Sequence, residues 1–473
     1  MPEYDRLFIG GEWVPPAVPG TVTVRSPADG TTVGTIPEAT EADADRAVAA
    51  ARRAFDEGPW PTTPLADRLA VLRRMRDHLA GRVDDLDQLG PRENGVPVVV
   101  RAGRRGLELF DFTLAAAEEY PFESERTGMM GRHGTIVREP GGVVAAIVAG
   151  NGPLLQSVGK VAPALVCGCT AVLKPPPETP FLALALAHAA EEAGLPAGVL
   201  NVVPGGVAVG RHLVAHPGVD VVTFTGSAAA GRDIGQVCGA QLKRLTLELG
   251  GKSAAVVLDD ADRDTTARAV AMDCMAFAGQ RCAALSRVLV PASRYDEMVD
   301  ALAGVVAGLA VGDPLDPSTY VGPLLTDRQV ERARAYVESA VAGGARVVSG
   351  GNPMAGPDGS HFFEPTVLAD VTNDMPVARE EIFGPVLVVI PYGTEEQAVA
   401  LANDSQYGLS GAVFSSDPVR ADRVARSIRA GSVGINATPG QLGLPFGGYK
   451  ASGFGREYSL EAFDSFTEVK AIS

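Results

Sequence analysis

From residue 143 onward the chain alternates short apolar runs with amphipathic stretches, and this alternation limits the fold more than any other feature of the sequence. Val143–Val148, Thr170–Leu173, Val199–Val203 and Val219–Thr223 read as strands, separated by helical spacing over 154–166, Thr179–Ala193 and Val207–Ala215. Near-continuous apolar strands are buried on both faces. With a helix between each pair they form a parallel sheet covered on both sides. After Ser253 the pattern restarts, with strands expected at Ala254–Leu258, Arg287–Val290, Arg346–Val348 and Val386–Ile390. Helices are expected around 262–276, 293–309, 326–342 and 395–403. The expected class is α/β, two doubly wound domains that meet near Gly250-Gly251.

The first part of the chain reads differently. Leu7–Trp13 resembles a hairpin, and Thr40-Glu-Ala-Asp43 has the character of a capping box with Asp in place of Glu. Three scaffold helices are expected: one through Ala47–Phe55, one opened by Pro64 with the stripe Leu65, Leu69, Leu72, Met75 and Leu79, and one over about 98–119. Residues 122–140 break the helical spacing as an extended excursion, and Ser465–Ile472 alternates like a strand.

Composition excludes several functions. A net charge of −16 opposes a nucleic-acid surface. The most apolar run, Val161–Leu173, is too short to span a bilayer, and the start Met1-Pro-Glu-Tyr-Asp-Arg6 has no leader-like apolar core. Five cysteines (Cys167, Cys169, Cys238, Cys274 and Cys282) form no disulfide ladder, and Cys167-Gly-Cys169 lacks a second ligand pair for zinc. The expectation is a cytoplasmic protein without metal, nucleic-acid or membrane partners.

Chemistry centres on Cys282 in Phe277-Ala-Gly-Gln-Arg-Cys282 and on Glu248 in Leu247-Glu-Leu-Gly-Gly-Lys252. A thiol is a nucleophile, and a carboxylate across a cleft is a base for it or for a water. Gly226-Ser227, where a strand turns into a helix, offers backbone N–H groups to a phosphate, or simply makes a turn. Lys174, at a strand's carboxyl end, points into a ligand crevice or sits on the surface before Pro175-Pro-Pro177. Asn151, in Gly150-Asn-Gly152, is an oxyanion donor or a turn residue. Gly251-Lys-Ser253 is not a P-loop, because Thr246 stands where the first glycine belongs. A Gly-x-Ser-x-Gly elbow and a His-Glu-x-x-His pair are both absent from the sequence.

In order, Ala162–Leu165, Asn201–Pro204, Phe224–Ser227, Leu247–Lys252, Gly279–Cys282, Glu381–Pro385 and Pro445–Lys450 resemble the aldehyde dehydrogenase superfamily, from about residue 7 to the end. The resemblance implies two Rossmann-like domains, cofactor-binding and catalytic, plus a small β oligomerisation arm. The cofactor domain would take 1–121 and 141–250, with 444–462 returning to it. The catalytic domain would take 251–443, and the arm 122–140 and 463–473. It implies Cys282 as nucleophile, Glu248 as general base and Asn151 in the oxyanion hole. Lys174 and Pro177 would lie at the adenosine ribose, and Phe224, Gly226, Ser227 and Gly231 around the pyrophosphate turn. Leu249 would also face the cofactor, and Glu381 with Phe383 the nicotinamide ribose. The cofactor would be NAD or NADP, the substrate a small-molecule aldehyde oxidised to an acid through a thioester, and the assembly a homodimer or homotetramer.

Three departures from the family's pattern stand out. Gly150 and Gly152 stand where aromatics usually flank Asn151, Pro177 replaces a glutamate common in NAD-preferring members, and Phe277 replaces an asparagine. Arg281 is shared with some relatives that handle anionic aldehydes. The expected substrate is a fairly apolar or aromatic aldehyde. The alternatives are a semialdehyde dehydrogenase for an anionic substrate, a coenzyme A-acylating enzyme, which Glu248 disfavours, and a catalytically retired binding or structural homologue.

Overall fold

The computed structural model describes residues 3–357 and 359–473. Met1 and Pro2, at the start read above as lacking a leader, and Asp358, in the loop 350–359, lie outside the described residues. Two sheets carry the architecture. In the first, the parallel strands Arg244–Glu248, Val221–Thr225, Val143–Ile147, Thr170–Lys174 and Leu200–Val202 lie side by side in that order. The antiparallel hairpin Leu7–Ile9 and Glu12–Val14 extends one edge, and Gly453–Phe454 returns from near the end of the chain to the other. The second sheet runs Arg346–Ser349, Thr366–Ala369, Val386–Tyr392, Arg287–Pro291, Ala254–Val257, Ser410–Phe414 and Ser432–Ile435. All of its pairings are parallel except the first.

Both sheets are doubly wound, as the apolar runs require. Strands Val143–Ile147 and Ala254–Val257 are buried throughout, which is why neither alternates polar and apolar residues. The parallel part of the first sheet starts at Val143–Ile147, builds outward through Thr170–Lys174 and Leu200–Val202, then reverses to Val221–Thr225. That reversal opens a crevice at the carboxyl ends of the strands, the usual ligand position in such sheets.

The hairpin and the Thr40 cap form as expected. The Asp43 carboxylate accepts from both the backbone N–H (3.0 Å) and the hydroxyl (2.8 Å) of Thr40. The scaffold holds a further helix that the sequence reading missed, Val83–Asn94, which contains Pro91. Gly90-Pro91 reads as a break. Proline is tolerated there because Leu86, Gly90 and Asn94 are still buried on one face. The helix expected over 98–119 starts later, at Ala102, because Arg101 takes a left-handed backbone (φ 52°) and separates it from a short turn at Val98–Val100. In the second sheet the strands Thr366–Ala369, Ser410–Phe414 and Ser432–Ile435 and the helix Pro418–Ser427 went unread.

The excursion and the tail form one three-stranded antiparallel sheet, Glu123–Thr127, His133–Pro140 and Thr467–Ile472. It projects from the body and is fixed by its root. Phe463 is 1 % exposed and packs on Tyr120 and Phe122, with ring centroids at 5.0 and 6.2 Å. The Gly141 N–H donates to the Phe466 carbonyl at 2.8 Å. Removing a buried aromatic ring costs about 3–5 kcal/mol through lost transfer energy and the cavity left behind. Phe463→Ala is therefore expected to lower unfolding stability by that amount in urea titrations and to expose Thr467–Ile472 to limited proteolysis. A change below about 1 kcal/mol would show that the root does not hold the arm.

Candidate active site

Leu249–Ser253 carries the chain from the first sheet to the second, joining strands Arg244–Glu248 and Ala254–Val257. The two glycines in this crossing are required by what packs on them. A methyl group at Gly250 would overlap the Glu381 carboxylate, and one at Gly251 would overlap the Cys282 carbonyl oxygen. The Gly251 N–H donates to Glu381 Oε1 at 3.1 Å. Glu248 therefore arrives from the first sheet, Cys282 from the loop before strand Arg287–Pro291, and Glu381 from the segment before Val386–Tyr392, all at one junction.

The Cys282 loop begins with an unusual backbone. Phe277, Ala278 and Gly279 are successively left-handed, at φ 54°, 51° and 70°. Such a turn is costly for residues with a Cβ. Gly279 has no alternative, since a methyl there would run into the Gly384 backbone. The Gln280 side chain clamps the turn, donating to the carbonyls of Phe277 (3.3 Å) and Pro323 (3.2 Å) and accepting from the Leu325 N–H (2.9 Å). Phe277 is buried under this turn.

Asn151 follows strand Val143–Ile147, and its Nδ2 donates to the Gln280 carbonyl at 2.9 Å. The amide proposed for the oxyanion and the loop that carries the thiol are thus tied directly. The strap behind Asn151 is held by Gln156, which accepts from the Ala149 N–H at 2.8 Å and donates to Asn151 Oδ1 at 2.8 Å. Asn94, on the unexpected helix, donates to the carbonyls of Gly150 and Asn151 at 3.3 and 3.4 Å.

The charges here are crowded and dry. Burial pushes the Cys282 thiol up to about 12, and the nearby Glu381 and Glu248 carboxylates add to the rise. Burial, then the neighbouring Glu457, hold Glu248 well above the carboxylate range, and burial takes Glu381 up to about 7. Both Glu248 oxygens are buried with no hydrogen-bond partner among the described residues. Beneath them lies a pair the sequence reading missed. The Lys160 ammonium, fully buried, donates to Glu457 at 2.5 Å and to Thr223 Oγ1 at 3.2 Å. Lys160 falls in the apolar helix Pro153–Val166, and Glu457 comes nearly three hundred residues later. A lysine amid Val158, Val161 and Ala162 was the available signal.

The crevice beside this junction carries the groups expected to hold a dinucleotide. Ser227 caps helix Ala228–Gln241, accepting from the Ala230 N–H at 3.2 Å and leaving the first turn's other donors directed outward. Gly226 lies over the Phe224 ring and Gly231 against Leu249, each too close for a methyl group. Lys174 ends its strand buried, its Nζ on the Gly205 carbonyl at 2.5 Å, and burial brings its pKa down to about 8. Pro177 sits half-buried in the turn after that strand, and Phe383 is a left-handed residue (φ 60°) two beyond Glu381.

Two other groups are accounted for. Arg281 turns away from the junction to Asp273, with Nη1 at 2.7 Å from Oδ1. At the far end of helix Val207–Ala215, His212 and His216 both meet Asp45, at 2.6 and 3.3 Å. The Gly218 N–H donates to His216 Nδ1 at 2.9 Å, which leaves the ring proton on Nε2, facing Asp45. That set is a satisfied hydrogen-bonded bridge between two helices.

The pattern of the aldehyde dehydrogenase family matches residues 13–472. The chain is 42 % identical to geranial dehydrogenase of Castellaniella defragrans, over 99 % of this chain and 98 % of that protein. It is also 42 % identical to 3-succinoylsemialdehyde-pyridine dehydrogenase of a Pseudomonas species, over 100 % of this chain and 99 % of that one. Among solved structures, it is similar to a Mycobacterium tuberculosis aldehyde dehydrogenase complexed with NAD+, with 46 % identity, TM-score 0.97 and coverage of 99 % and 98 %. A Pseudomonas syringae aldehyde dehydrogenase C variant in complex with NAD+ and octanal superposes with TM-score 0.94 at 37 % identity, covering 99 % and 96 %.

A thiol held near 12 is protonated at neutral pH, and its thiolate fraction rises about tenfold per pH unit below that value. Iodoacetamide labelling of Cys282, followed by mass spectrometry, is expected to rise steadily from pH 7 to pH 10 without a plateau. Glu381→Gln removes a negative neighbour, lowers the thiol pKa and should label several-fold faster at pH 9. Equal rates would show that Glu381 does not act on the thiol.

Proposed function

This chain belongs to the aldehyde dehydrogenase family and oxidises aldehydes with NAD, and from that premise we propose which residues do the work and on what class of substrate. The tie between Asn151 and the Cys282 loop carries the reading, because it sets an amide donor and a thiol around one point. In this reading Cys282 attacks the aldehyde carbon and the Asn151 amide holds the resulting oxyanion, a contact worth about 3 kcal/mol for one such donor. Bound NAD supplies the hydride acceptor that turns the tetrahedral adduct into a thioester. Glu248 takes a proton from water, which attacks the thioester and releases the carboxylic acid and the thiol. Its two unpartnered oxygens support that role. Lys160 and Glu457, directly beneath, offer that proton a path onward.

The cofactor would rest with its pyrophosphate at Gly226-Ser227 and the capped helix. Lys174 would meet the adenosine ribose, and Glu381 and Phe383 the nicotinamide side. NAD is favoured over NADP by Glu178 and Glu38, the two acids acting on Lys174, which would face a 2′-phosphate although Pro177 cannot. An apolar aldehyde is favoured by the aromatic and aliphatic side chains around Tyr458, a neighbour of the thiol. The half-buried Tyr458 ring stacks on Phe446 at 5.3 Å, Phe112 packs at Gly443, and Leu442 and Leu444 are exposed on the adjoining loop. The names of two relatives, geranial dehydrogenase and the enzyme with bound octanal, agree with that class. The anionic alternative loses its proposed cation, since Arg281 is committed to Asp273.

We assign 1–121, 141–250 and 444–462 to the cofactor side, 251–443 to the catalytic side, and 122–140 with 463–473 to a subunit-contact arm. Exposed Met129, Met130, Val469 and Ile472 on that arm support a homodimer or homotetramer. Four buried cysteines and one half-buried one, all unpaired, support a reducing, cytoplasmic setting.

The test is cofactor reduction with aliphatic and aromatic aldehydes such as octanal. Cys282→Ala is expected to abolish it. Glu248→Gln is expected to give one equivalent of NADH in a burst, then a steady rate lower by roughly 10²–10⁴-fold. NADP should support a kcat/KM at least about tenfold below that of NAD. Full turnover by Cys282→Ala, or preference for a semialdehyde carboxylate, would overturn the reading.

A further inference from the structure

The strap Ala149-Gly-Asn-Gly152 carries no large side chain, so packing alone cannot fix which way the Asn151 amide faces. The two ends of an amide are nearly equal in shape and opposite in chemistry. One orientation offers a developing oxyanion an N–H, and the other offers it a carbonyl oxygen, which repels it.

The polar contacts around Asn151 permit one orientation. The backbone N–H of Ala149 can only donate, so the end of Gln156 that it meets at 2.8 Å is the oxygen. The other end of Gln156 is then the NH₂, and the Asn151 atom it meets at 2.8 Å is Oδ1. Nδ2 of Asn151 consequently faces the Gln280 carbonyl, which can only accept, at 2.9 Å. Each link is fixed by a backbone group of unambiguous sign at one of the two ends. One hydrogen of Nδ2 is used on Gln280, and the second remains for a ligand. Gln156 is 6 % exposed, so water does not compete for these bonds. It sits one turn inside helix Pro153–Val166, with Pro153, Leu154 and Ser157 around it also buried.

We infer that Gln156 is a positioning residue for the reaction: it sets the polarity of the Asn151 amide and supplies by hydrogen bonding the restraint that flanking aromatics would supply by packing. The inference rests on Asn151 being the oxyanion donor. Gln156 is buried and bonded to Asn151, so its effect is expected to pass through Asn151.

A double-mutant cycle tests this on the full-length enzyme, with hydride transfer to NAD from octanal followed by stopped-flow absorbance. Removal of one oxyanion donor costs roughly 10²–10³-fold, and partial misorientation of the same donor should cost about tenfold. Gln156→Met keeps the length of the side chain and removes both hydrogen bonds. It is expected to lower kcat about tenfold while leaving KM for octanal and Kd for NAD within about twofold. In an Asn151→Ala background the same change should cost less than about twofold. Gln156→Glu preserves the acceptor for Ala149 and most of the shape, and replaces only the donor to Asn151. It should show the same dependence on background, and serves if Gln156→Met does not fold. Equal losses in both backgrounds, or a rise in KM without loss of kcat, would overturn the inference. If Gln156→Met is silent while Asn151→Ala is crippled, the positioning role fails and the oxyanion role stands. If Asn151→Ala is itself silent, both fail.

Discussion

The close crossing of the backbone between the two sheets governs everything else at the site. Leu249–Ser253 brings the first sheet's last parallel strand into the second sheet's first, and it does so with no side chain at Gly250 or Gly251. The Glu381 carboxylate and the Cys282 carbonyl occupy the volume that two methyl groups would take. The constraint is steric rather than attractive. The Glu381 carboxylate from one loop, the Cys282 thiol from another and Glu248 from the strand before the crossing converge because the backbone there is thin enough to admit them.

Convergence has an electrostatic consequence. Cys282, Glu248 and Glu381 share a dry volume, with Glu457 beneath them, and each negative charge makes the next harder to form. The Lys160–Glu457 pair puts a cation under Glu248, although Glu457 spends most of that charge. Arg456 adds a further positive neighbour while donating to the carbonyls of Gly448 and Gly455. The resting site therefore keeps its protons. The thiol and Glu248 are both raised by burial first, so any ligand that brings positive charge or hydrogen-bond donors lowers both together. These groups titrate as a set rather than singly.

Legibility in the sequence followed from how local the cause was. Strand and helix order from Val143 to Thr225 was readable because burial on both faces leaves an unbroken apolar run, whereas Arg244–Glu248, half-buried at its start, was not read as a strand. The capping box at Thr40 was readable because its partners lie three residues apart. Helix Val83–Asn94 was not, because Gly90-Pro91 looks like a terminus unless the packed face of Leu86, Gly90 and Asn94 is known. Lys160 and Glu457 were hidden for another reason. Each is an ordinary charged residue in its own segment and acquires meaning only when the fold brings 160 and 457 together. Resemblance named Cys282, Glu248 and Asn151. It did not reveal that Arg281 is spent on Asp273, nor that Phe277 opens a left-handed turn.

The altered surroundings of Asn151 show how a site can lose one kind of restraint and keep its geometry. Aromatic neighbours fix an amide by shape, which leaves the choice between oxygen and nitrogen to weak contacts. A chain of amides anchored by the Ala149 N–H at one end and the Gln280 carbonyl at the other fixes that choice by sign. The small residues Gly150 and Gly152 bring no rings of their own to the strap, and Leu325 and Thr179 pack where a side chain at Gly150 would stand. The cost is dependence on buried polar groups. One broken link leaves an unpaired amide in a dry setting, a penalty of about 1–3 kcal/mol, where loss of a packed ring would leave a void. In the proposed reading the strap's own side chains and the restraint on the Asn151 amide are separate: the first can change while the second is held from behind by Gln156.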